Sequence, residues 1–535
     1  IADAAAREWT AEEMARARRQ VLTGWASDLD DKAGRAHQLA FFEVAGGHAH
    51  LLEIPERLAR VSPDDVRRFA RERLARDRAT VGSFVPSPPD PAPARAATPA
   101  AAPRRPAISP TEAGVLPTVA GAAEPVVVRL ANGLTVTLAP VSGTLVSLRG
   151  RIEAGSVFDG ATPGLSALAT ELLARPVPGA PPAIAPLAWT LHEDPDAAVT
   201  QRWIELSASC LPDDVPDLLR DVAARLSRAL AFGEGGALAP GEWQTIQRAA
   251  AHRARTNEQV TATALRQLAL AEMHADGPLR SPAWGRAGAI EAAGVETLRA
   301  FLRRHARPDA VRLALAGAIA VPALRAEVER RFGALAAGPG AAVALPPLSA
   351  ARGGGAWREV RLPRPGKSQD DVRVVLPGER VRPWDPAATE LLLYLLGETG
   401  YAGRLGHALV DPGLVYSVYA TREEAPGLPG FLMIRTASAP RDTPEVLRRV
   451  RALVEDAARG AFTAAELREA QAYVRGKRAR SREGSAAAAA DALEAAPRRV
   501  GPAPDAVTLD QLNDTARRLF RGGAPVALVA GPPAV

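Results

Sequence analysis

The sequence predicts an α+β fold assembled from repeated units, each with an antiparallel or mixed sheet covered by helices. Three observations carry this prediction. An ending in which a helix leads to an apolar strand occurs three times along the chain. The turn Ala131-Asn132-Gly133 joins two strand-like runs, which is a hairpin signature. A tract rich in proline and alanine, from about Pro86 to Pro117, divides the chain.

Two of the three copies of the recurring ending begin at residues with helix-capping chemistry. Its three copies lie at residues 62–85, 295–317 and 508–530. Ser62 and Thr508 are hydroxyl residues followed by acids, and Thr10 and Thr463 begin two further helices in the same way. A hydroxyl accepts hydrogen bonds from free backbone N–H groups, and carboxylates favour the positive end of a helix. Each copy closes on a run with the composition of a strand.

These boundaries predict four segments of the chain. They are the closing part of an upstream unit at 1–86, a semi-rigid linker at 87–118, a first half-unit at 119–348 and a second half-unit at 355–535. Ile1 has the surroundings of a helix interior, which predicts that the first of these units begins upstream of the sequence.

Composition excludes several classes of protein. The 535 residues suffice for two to four domains, and the single cysteine, Cys210, rules out a disulfide framework or a multi-cysteine metal site. The net charge of +6 comes almost entirely from arginines interspersed with acids, without the basic stripe and aromatics of a nucleic-acid surface. No apolar run has the length of a membrane span. A bacterial periplasmic location is favoured over the cytoplasm.

Several segments resemble, in order and spacing, the pitrilysin/insulinase-type zinc metallopeptidases, which include the mitochondrial processing peptidases. Residues 130–138 (Leu-Ala-Asn-Gly-Leu-Thr-Val-Thr-Leu), residues 152–156 (Ile-Glu-Ala-Gly-Ser) and Pro163-Gly-Leu are similar to the opening of that domain. Residues 301–311 are similar to its helix-to-strand segment, and Gly366-Lys-Ser-Gln to the start of its second half. The resemblance implies half-units that pair as a clam shell around a chamber.

The resemblance also shows where the family's metal motif, His-x-x-Glu-His, would stand. Ala167 occupies the first histidine position, Thr170 the general-base position and Glu171 the second histidine position. In the family, two imidazoles one helical turn apart bind zinc and the glutamate is the general base. Alanine offers no ligand atom. The resemblance therefore implies a degenerate motif, with no catalytic residue and no metal on this chain.

The remaining candidates for metal ligands are isolated. Residues 247–255, which correspond to the segment with the last zinc ligand, carry alanine at the expected register. An alternative site formed by Glu171 and His252 is conceivable, although a lone glutamate and a lone histidine are more often satisfied locally. The other histidines are interpreted as loop or surface residues: His37, His48, His50, His192, His274, His305 and His407.

A second family feature is an arginine and a tyrosine that hold substrate through hydrogen bonds. Tyr416, in Gly-Leu-Val-Tyr, matches the tyrosine, whereas Leu409 or Val410 stands at the arginine position. Two interpretations of Tyr416 follow: a substrate-binding residue or an aromatic packed in the core.

Together these features predict a non-catalytic portion of a zinc metalloendopeptidase. It would pair, as a heterodimer, with a zinc-bearing half that is an upstream fragment or a separate subunit, and the pair would enclose and cleave peptides. The alternative is a proteolytically inactive scaffold or assembly protein, similar to the core subunits of respiratory complexes that resemble this family. A third possibility, an unrelated active site, lacks support because the glycine-rich loops have no phosphate-binding lysine and no catalytic triad is evident.

Overall fold

The structure, a computed structural model, divides into two compact units at residues 1–122 and 123–535. The residues it describes are 6–74, 78–83, 124–177, 187–190 (backbone only), 201–274, 277–337, 344–348, 356–377, 385–423, 430–494, 503–521 and 525–533. The predicted linker at 87–118, the helix interior predicted at Ile1, and His192 lie outside the described residues. The domain boundaries given above therefore stay a prediction.

The first unit is helical in its described residues. Its helices are α1 (Ala11–Asp28), α2 (Lys32–Val44), α3 (Ala49–Arg60) and α4 (Pro63–Arg73). The predicted caps are confirmed: Thr10 forms a capping box with Glu13, and Ser62 forms one with Asp65. The strand predicted at 79–85 is wrong for residues 79–83, which pair with no described strand, and the last two residues lie outside the described chain. An apolar run becomes a strand only where a neighbouring strand supplies hydrogen-bond partners.

The second unit contains two mixed sheets. The first sheet has the strand order β1-β2-β6-β3-β5-β4 and the second has β7-β11-β8-β10-β9. Their strands are β1 (Val126–Arg129), β2 (Thr135–Pro140), β3 (Val146–Ile152), β4 (Leu187–Thr190), β5 (Ile204–Cys210), β6 (Val311–Gly317), β7 (Arg358–Pro363), β8 (Asp370–Pro377), β9 (Val415–Glu423), β10 (Phe431–Ser438) and β11 (Val526–Gly531).

Helices cover both sheets. They are α5 (Leu165–Ala174), α6 (Val215–Gly233), α7 (Glu242–Gln259), α8 (Thr261–Met273), α9 (Ala287–Ala292), α10 (Val295–His305), α11 (Val321–Phe332), α12 (Pro386–Leu396), α13 (Gly403–Leu405), α14 (Thr443–Arg459), α15 (Ala464–Arg480), α16 (Gly484–Leu493) and α17 (Leu509–Arg521). Helix α13 continues as a π-helical turn, Gly406–Val410, and short 3-10 turns lie at Ser156–Phe158, Pro212–Asp214, Pro278–Arg280, Pro308–Ala310 and Pro504–Ala506. The predicted α+β class is confirmed.

The two sheets share one topology. In each, the closing strand lies parallel to the opening strand and antiparallel to the next one: β6 lies between β2 and β3, and β11 lies between β7 and β8. The helix that precedes each closing strand is α10 or α17. The repeat predicted from the helix-then-strand endings at 295–317 and 508–530 is therefore present in the strand order, and strand β1 is an addition to the first sheet.

Each sheet also receives a helix from the other half of the unit. Helix α8, which follows α7 in the first half, packs Leu265, Leu270 and Met273 against residues of strands β8, β10 and β11. Helix α16, from the second half, packs Ala489 and Ala492 against alanines of strands β2 and β6. This reciprocal exchange closes the second face of both sheets and joins the halves into one compact unit.

No helix in the parts of the chain that the structure describes combines the length and the apolar character of a membrane span.

Candidate functional site: the helix at the degenerate metal motif

Helix α5, which carries the degenerate motif, is held firmly at its N-terminus. The buried carboxylate of Asp159 accepts a hydrogen bond from Gly164 N at 2.6 Å and another from Ser166 N at 2.8 Å. These bonds satisfy N–H groups that have no partner within the helix. Burial raises the pKa of Asp159 to about 7, against the lowering effect of the two backbone donors.

The close approach of two glycines fixes the direction of the same helix. Gly164 has a φ of 121° and packs on Gly285, whose own φ is 70°. A Cβ atom added at Gly285 would lie 2.6 Å from Gly164 N, so a side chain at that position has no room. The family-like Pro163-Gly164-Leu165 thus has a structural reason in this chain, because only glycine permits this contact at positive φ.

The C-terminus of helix α5 is capped by an arginine from helix α6. Arg225 Nη1 donates to the carbonyl oxygens of Leu173 at 3.0 Å and Ala174 at 2.5 Å. Its Nε forms a buried ion pair with Asp221 at 2.9 Å. A cation at the carbonyl end of a helix is favourable because the helix dipole is negative there. Both ends of helix α5 are therefore fixed, and every residue from Leu165 to Leu173 is buried.

The motif positions face the interior but offer no open coordination site. Ala167 is fully buried in the core, and its methyl group provides no ligand atom. Thr170 donates its hydroxyl hydrogen to Ser166 O at 2.8 Å, within the same helix. The third position, Glu171, is the one ionisable group of the three.

Glu171 forms an ion pair with Arg253 of helix α7. Arg253 Nη2 lies 2.8 Å and Nε 3.0 Å from Glu171 Oε1. The Glu171 side chain is 9% exposed, whereas Arg253 is half exposed and stacks over the Trp284 ring at 4.7 Å. A guanidinium thus balances the only negative charge at the motif.

These side chains do not fit zinc. A tetrahedral zinc site needs three protein ligands with free lone pairs. Here an alanine, a threonine bonded to its own helix and a carboxylate held by a guanidinium occupy the three positions. Among the described residues, no group of three or more histidines, cysteines, aspartates or glutamates could hold a metal ion.

The sequence alone did not point to Arg253. The alternative site of Glu171 with His252 is not formed, because the neighbouring arginine contacts the carboxylate and His252 is exposed. The segment 247–255 lies on helix α7, which buries the alanines Ala250, Ala251 and Ala254. One signal in the sequence could have indicated this pair. Arg253 lies in the segment that corresponds to the last zinc ligand, and a buried carboxylate such as that of Glu171 requires a compensating charge.

The remaining described histidines are either exposed or buried in the interior. His48, His50 and His407 lie in exposed positions beside carboxylates, and His37 is exposed. The interpretation as loop or surface residues is wrong for His274 and His305, which are buried. His305 Nδ1 lies 3.0 Å from Glu153 O, whereas His274 Nδ1 has no hydrogen-bond partner among the described residues, and burial lowers the pKa of each imidazole to about 4.

Tyr416 lies on strand β9 with 81% of its surface exposed. The interpretation as a core aromatic is therefore wrong. Its ring meets that of Tyr401 edge-on at a centroid distance of 5.9 Å, and the neighbouring Tyr416 hydroxyl raises the pKa of Tyr401. Leu409, at the family's arginine position, is fully buried in the π-helical turn, and Val410 is partly buried. The structure leaves Tyr416 accessible but does not assign it a ligand.

The sequence was compared with known protein families and with curated proteins. Residues 293–474 match the sequence family described as the peptidase M16 inactive domain. No curated protein matches the chain.

Three solved structures illustrate the likeness. A peptidase M16 inactive domain from Pseudomonas fluorescens is 18% identical, with 77% of this chain and 99% of that chain covered and a TM-score of 0.61. A protease from Helicobacter pylori is 15% identical over 76% of this chain and 100% of that chain, with a TM-score of 0.64. A chain of complex III2 from Candida albicans is 16% identical over 76% and 95%, with a TM-score of 0.63. At these identities the likeness concerns the fold.

The motif-bearing helix, the repeated sheet topology and the matched family domain lead to one assignment. Residues 293–474 match the family described as the peptidase M16 inactive domain, and the chain is similar in fold to solved M16-type structures.

Proposed function

We propose that this chain is the non-catalytic half of a zinc metalloendopeptidase. It pairs with a half that bears the zinc motif, on the same polypeptide or on a separate subunit, and the two enclose a peptide during cleavage. In this proposal zinc and the catalytic base belong to the partner, and this chain carries no metal.

One observation supports the proposal above the others: the ion pair of Glu171 with Arg253 in place of a metal site. An arginine is charged at every physiological pH and offers only N–H donors, so it can neither coordinate a metal nor replace one that activates water. The arrangement keeps helix α5 in the interior without any zinc-dependent step. A chain of this kind supports peptide hydrolysis only through a second half.

The proposal is tested by purifying the chain alone and together with a zinc-bearing M16 half from the same source. Bound zinc is measured by elemental analysis, and cleavage is measured with quenched fluorescent peptides. We expect neither zinc nor cleavage for the chain alone, and both for the pair at a rate above that of the zinc-bearing half alone. The matched control replaces the catalytic glutamate of the partner by glutamine, which removes cleavage and leaves the complex intact.

Stoichiometric zinc in the isolated chain would overturn the proposal. A complex that forms without raising the cleavage rate of the partner would favour a second candidate, an inactive scaffold that binds proteins. The likeness of the fold to a chain of complex III2 supports that candidate, because there a chain of similar fold is part of a larger complex. The two candidates differ in one measurement, the change in cleavage rate when this chain is added.

A further inference from the structure

An open groove of about 260 Å³ lies between helix α8, residues 280–286 and the end of strand β7. Its larger side chains are Gln267, Leu268, Arg280, Arg286, Leu362 and Arg364. Three of the six are arginines, and none of the described residues that line the groove is acidic. The groove is therefore positively charged, with an apolar floor.

The backbone of two of the arginines is fixed by hydrogen bonds. Arg364 N donates to Gly531 O at 2.7 Å, and its Nη2 donates to Glu258 O at 3.2 Å. Arg286 N donates to Pro163 O at 3.3 Å, next to the glycine contact at the start of helix α5. The Arg286 side chain is exposed and Arg364 is half-buried. The groove thus lies near Pro163, just before helix α5, with the backbone of two of its arginines fixed.

The chemistry of the groove indicates what it binds. A groove lined by arginines and by no acidic side chain among the described residues attracts a negatively charged ligand. The planar guanidinium fork matches a carboxylate, which it binds through two parallel hydrogen bonds. Leu268 and Leu362 give a half-buried apolar floor that an aliphatic stem can cover, whereas a bare inorganic anion would leave it in water.

The volume of the groove also favours a peptide over a small-molecule ligand. Pockets for drug-sized ligands or cofactors usually measure about 300–1,000 Å³ and are largely closed. This groove is smaller and open, which suits a few side chains of an extended chain that passes through it.

We propose that this groove binds acidic residues of a peptide, with their carboxylates on Arg280, Arg286 and Arg364 and their aliphatic stems on Leu268 and Leu362. The inference deepens the proposed function, since it names the chemistry of the peptide that the pair encloses. It concerns this chain's own residues, so it can be tested without the zinc-bearing half.

The test uses the isolated chain and a short fluorescein-labelled peptide of alternating glutamate and alanine. Fluorescence anisotropy gives its affinity, and the peptide with glutamine in place of glutamate is the neutral control. We expect the neutral peptide to bind at least about tenfold more weakly, because charge-assisted hydrogen bonds are roughly twice as strong as neutral ones. Equal affinity of the two peptides would overturn the inference.

Two triple variants test whether the acidic peptide binds in the groove. Arg280→Gln/Arg286→Gln/Arg364→Gln is expected to lower the affinity for the acidic peptide at least about tenfold. Its matched control, Arg303→Gln/Arg304→Gln/Arg468→Gln, removes the same charge from exposed positions on helices α10 and α15 and is expected to bind as the unaltered chain does. A loss of equal size in both triple variants would show a non-specific charge effect and overturn the inference.

A single variant and a competition experiment with phosphate complete the test. The single variant Arg286→Glu alters one exposed residue, so it tests the groove even if the triple variant fails to fold, and unchanged binding there would contradict the proposal. Inorganic phosphate that displaces the peptide at equal concentration would contradict the assignment to a peptide. Cleavage by the pair without binding of the acidic peptide would overturn this inference alone and leave the proposed function standing.

Discussion

Arg266 of helix α8 and Glu423 at the end of strand β9 form an ion pair across the two halves of the second unit. Arg266 Nη2 lies 2.9 Å from Glu423 Oε2, and the two side chains are 4% and 3% exposed. Helix α8 follows the first sheet's helices in the chain but packs on the second sheet. The ion pair therefore lies where helix α8, from the first half of the unit, packs against the second sheet.

Removing one partner of this pair leaves a buried charge without compensation. We expect Arg266→Met or Glu423→Leu to lower the free energy of unfolding by about 3–5 kcal/mol. The double variant Arg266→Met/Glu423→Leu is expected to recover much of that loss, since two apolar side chains leave no unpaired charge. Chemical denaturation followed by circular dichroism measures the shift.

The matched control is the exposed pair Arg325–Glu329 on helix α11, whose side chains are 59% and 48% exposed. Its removal is expected to change stability by less than about 1 kcal/mol, because water screens the interaction. If Arg266→Met unfolds no earlier than the control variant, the buried pair does not hold the exchanged helix.

The sequence predicts local features of this fold well and tertiary ones poorly. Caps at Thr10, Ser62, Thr463 and Thr508 depend on neighbours three residues away, and all four are found. The hairpin at residues 126–140 and the endings at 295–317 and 508–530 likewise follow from short-range patterns, whereas the strand expected at 79–83 does not form.

Partners distant in the chain were missed. Arg253 lies 82 residues from Glu171, and no local pattern records that helix α7 brings its guanidinium to helix α5. The same holds for Arg266 and Glu423, which are 157 residues apart. The burial of His305 and the exposure of Tyr416 are also tertiary outcomes, since each depends on what packs against the residue.

The pair Glu171–Arg253 leads to the second prediction. Arg253→Met removes the cation–π contact with Trp284 and the partner of a nearly buried carboxylate. Because Arg253 is half exposed, water screens part of the interaction, and we expect a loss of about 1–2 kcal/mol in the free energy of unfolding.

A double-mutant cycle with Glu171→Gln measures the coupling directly. The double variant should lose less than the sum of the single losses, because the glutamine needs no counter-charge. Strictly additive losses would mean that Arg253 stabilises helix α5 through its contact with Trp284 alone.

His305 gives the chain a defined response to acid. Its Nδ1 lies 3.0 Å from Glu153 O, its ring packs between Phe158 and Phe301, and burial lowers its pKa to about 4 from an ordinary 6.5. The unfolded chain therefore binds a proton below about pH 6.5 that the folded chain does not bind until about pH 4. Stability should fall as the pH falls through this window.

The variant His305→Gln cannot take up that proton in either state. We expect its stability relative to the unaltered chain to rise as the pH falls from 6.5 to 4, whatever its stability at neutral pH. Melting temperatures across this range measure the difference, and His252→Gln, at an exposed position on helix α7, serves as the control. A difference that does not vary with pH would contradict the assignment of a neutral buried imidazole.

The Asn132-Gly133 turn, which carries part of the family resemblance, has a structural role that can be separated from any site. Asn132 Nδ2 donates to the carbonyl oxygens of Phe332 at 2.8 Å and Leu335 at 3.0 Å, so the hairpin is fastened to the end of helix α11. Gly133 has a φ of 92°, and a Cβ atom there would lie 2.6 Å from the Asp309 Cβ.

Two costs therefore add in Gly133→Ala: the strain of an L residue at positive φ, about 1–2 kcal/mol, and the clash with Asp309. We expect a total loss of more than about 2 kcal/mol in the free energy of unfolding. Gly160→Ala is the matched control, because Gly160 also has a positive φ, 60°, but a Cβ atom there would meet nothing within 4 Å. It should lose only the strain, so equal losses in the two variants would show that the Asp309 contact relaxes freely and that the glycine is required for its backbone conformation alone.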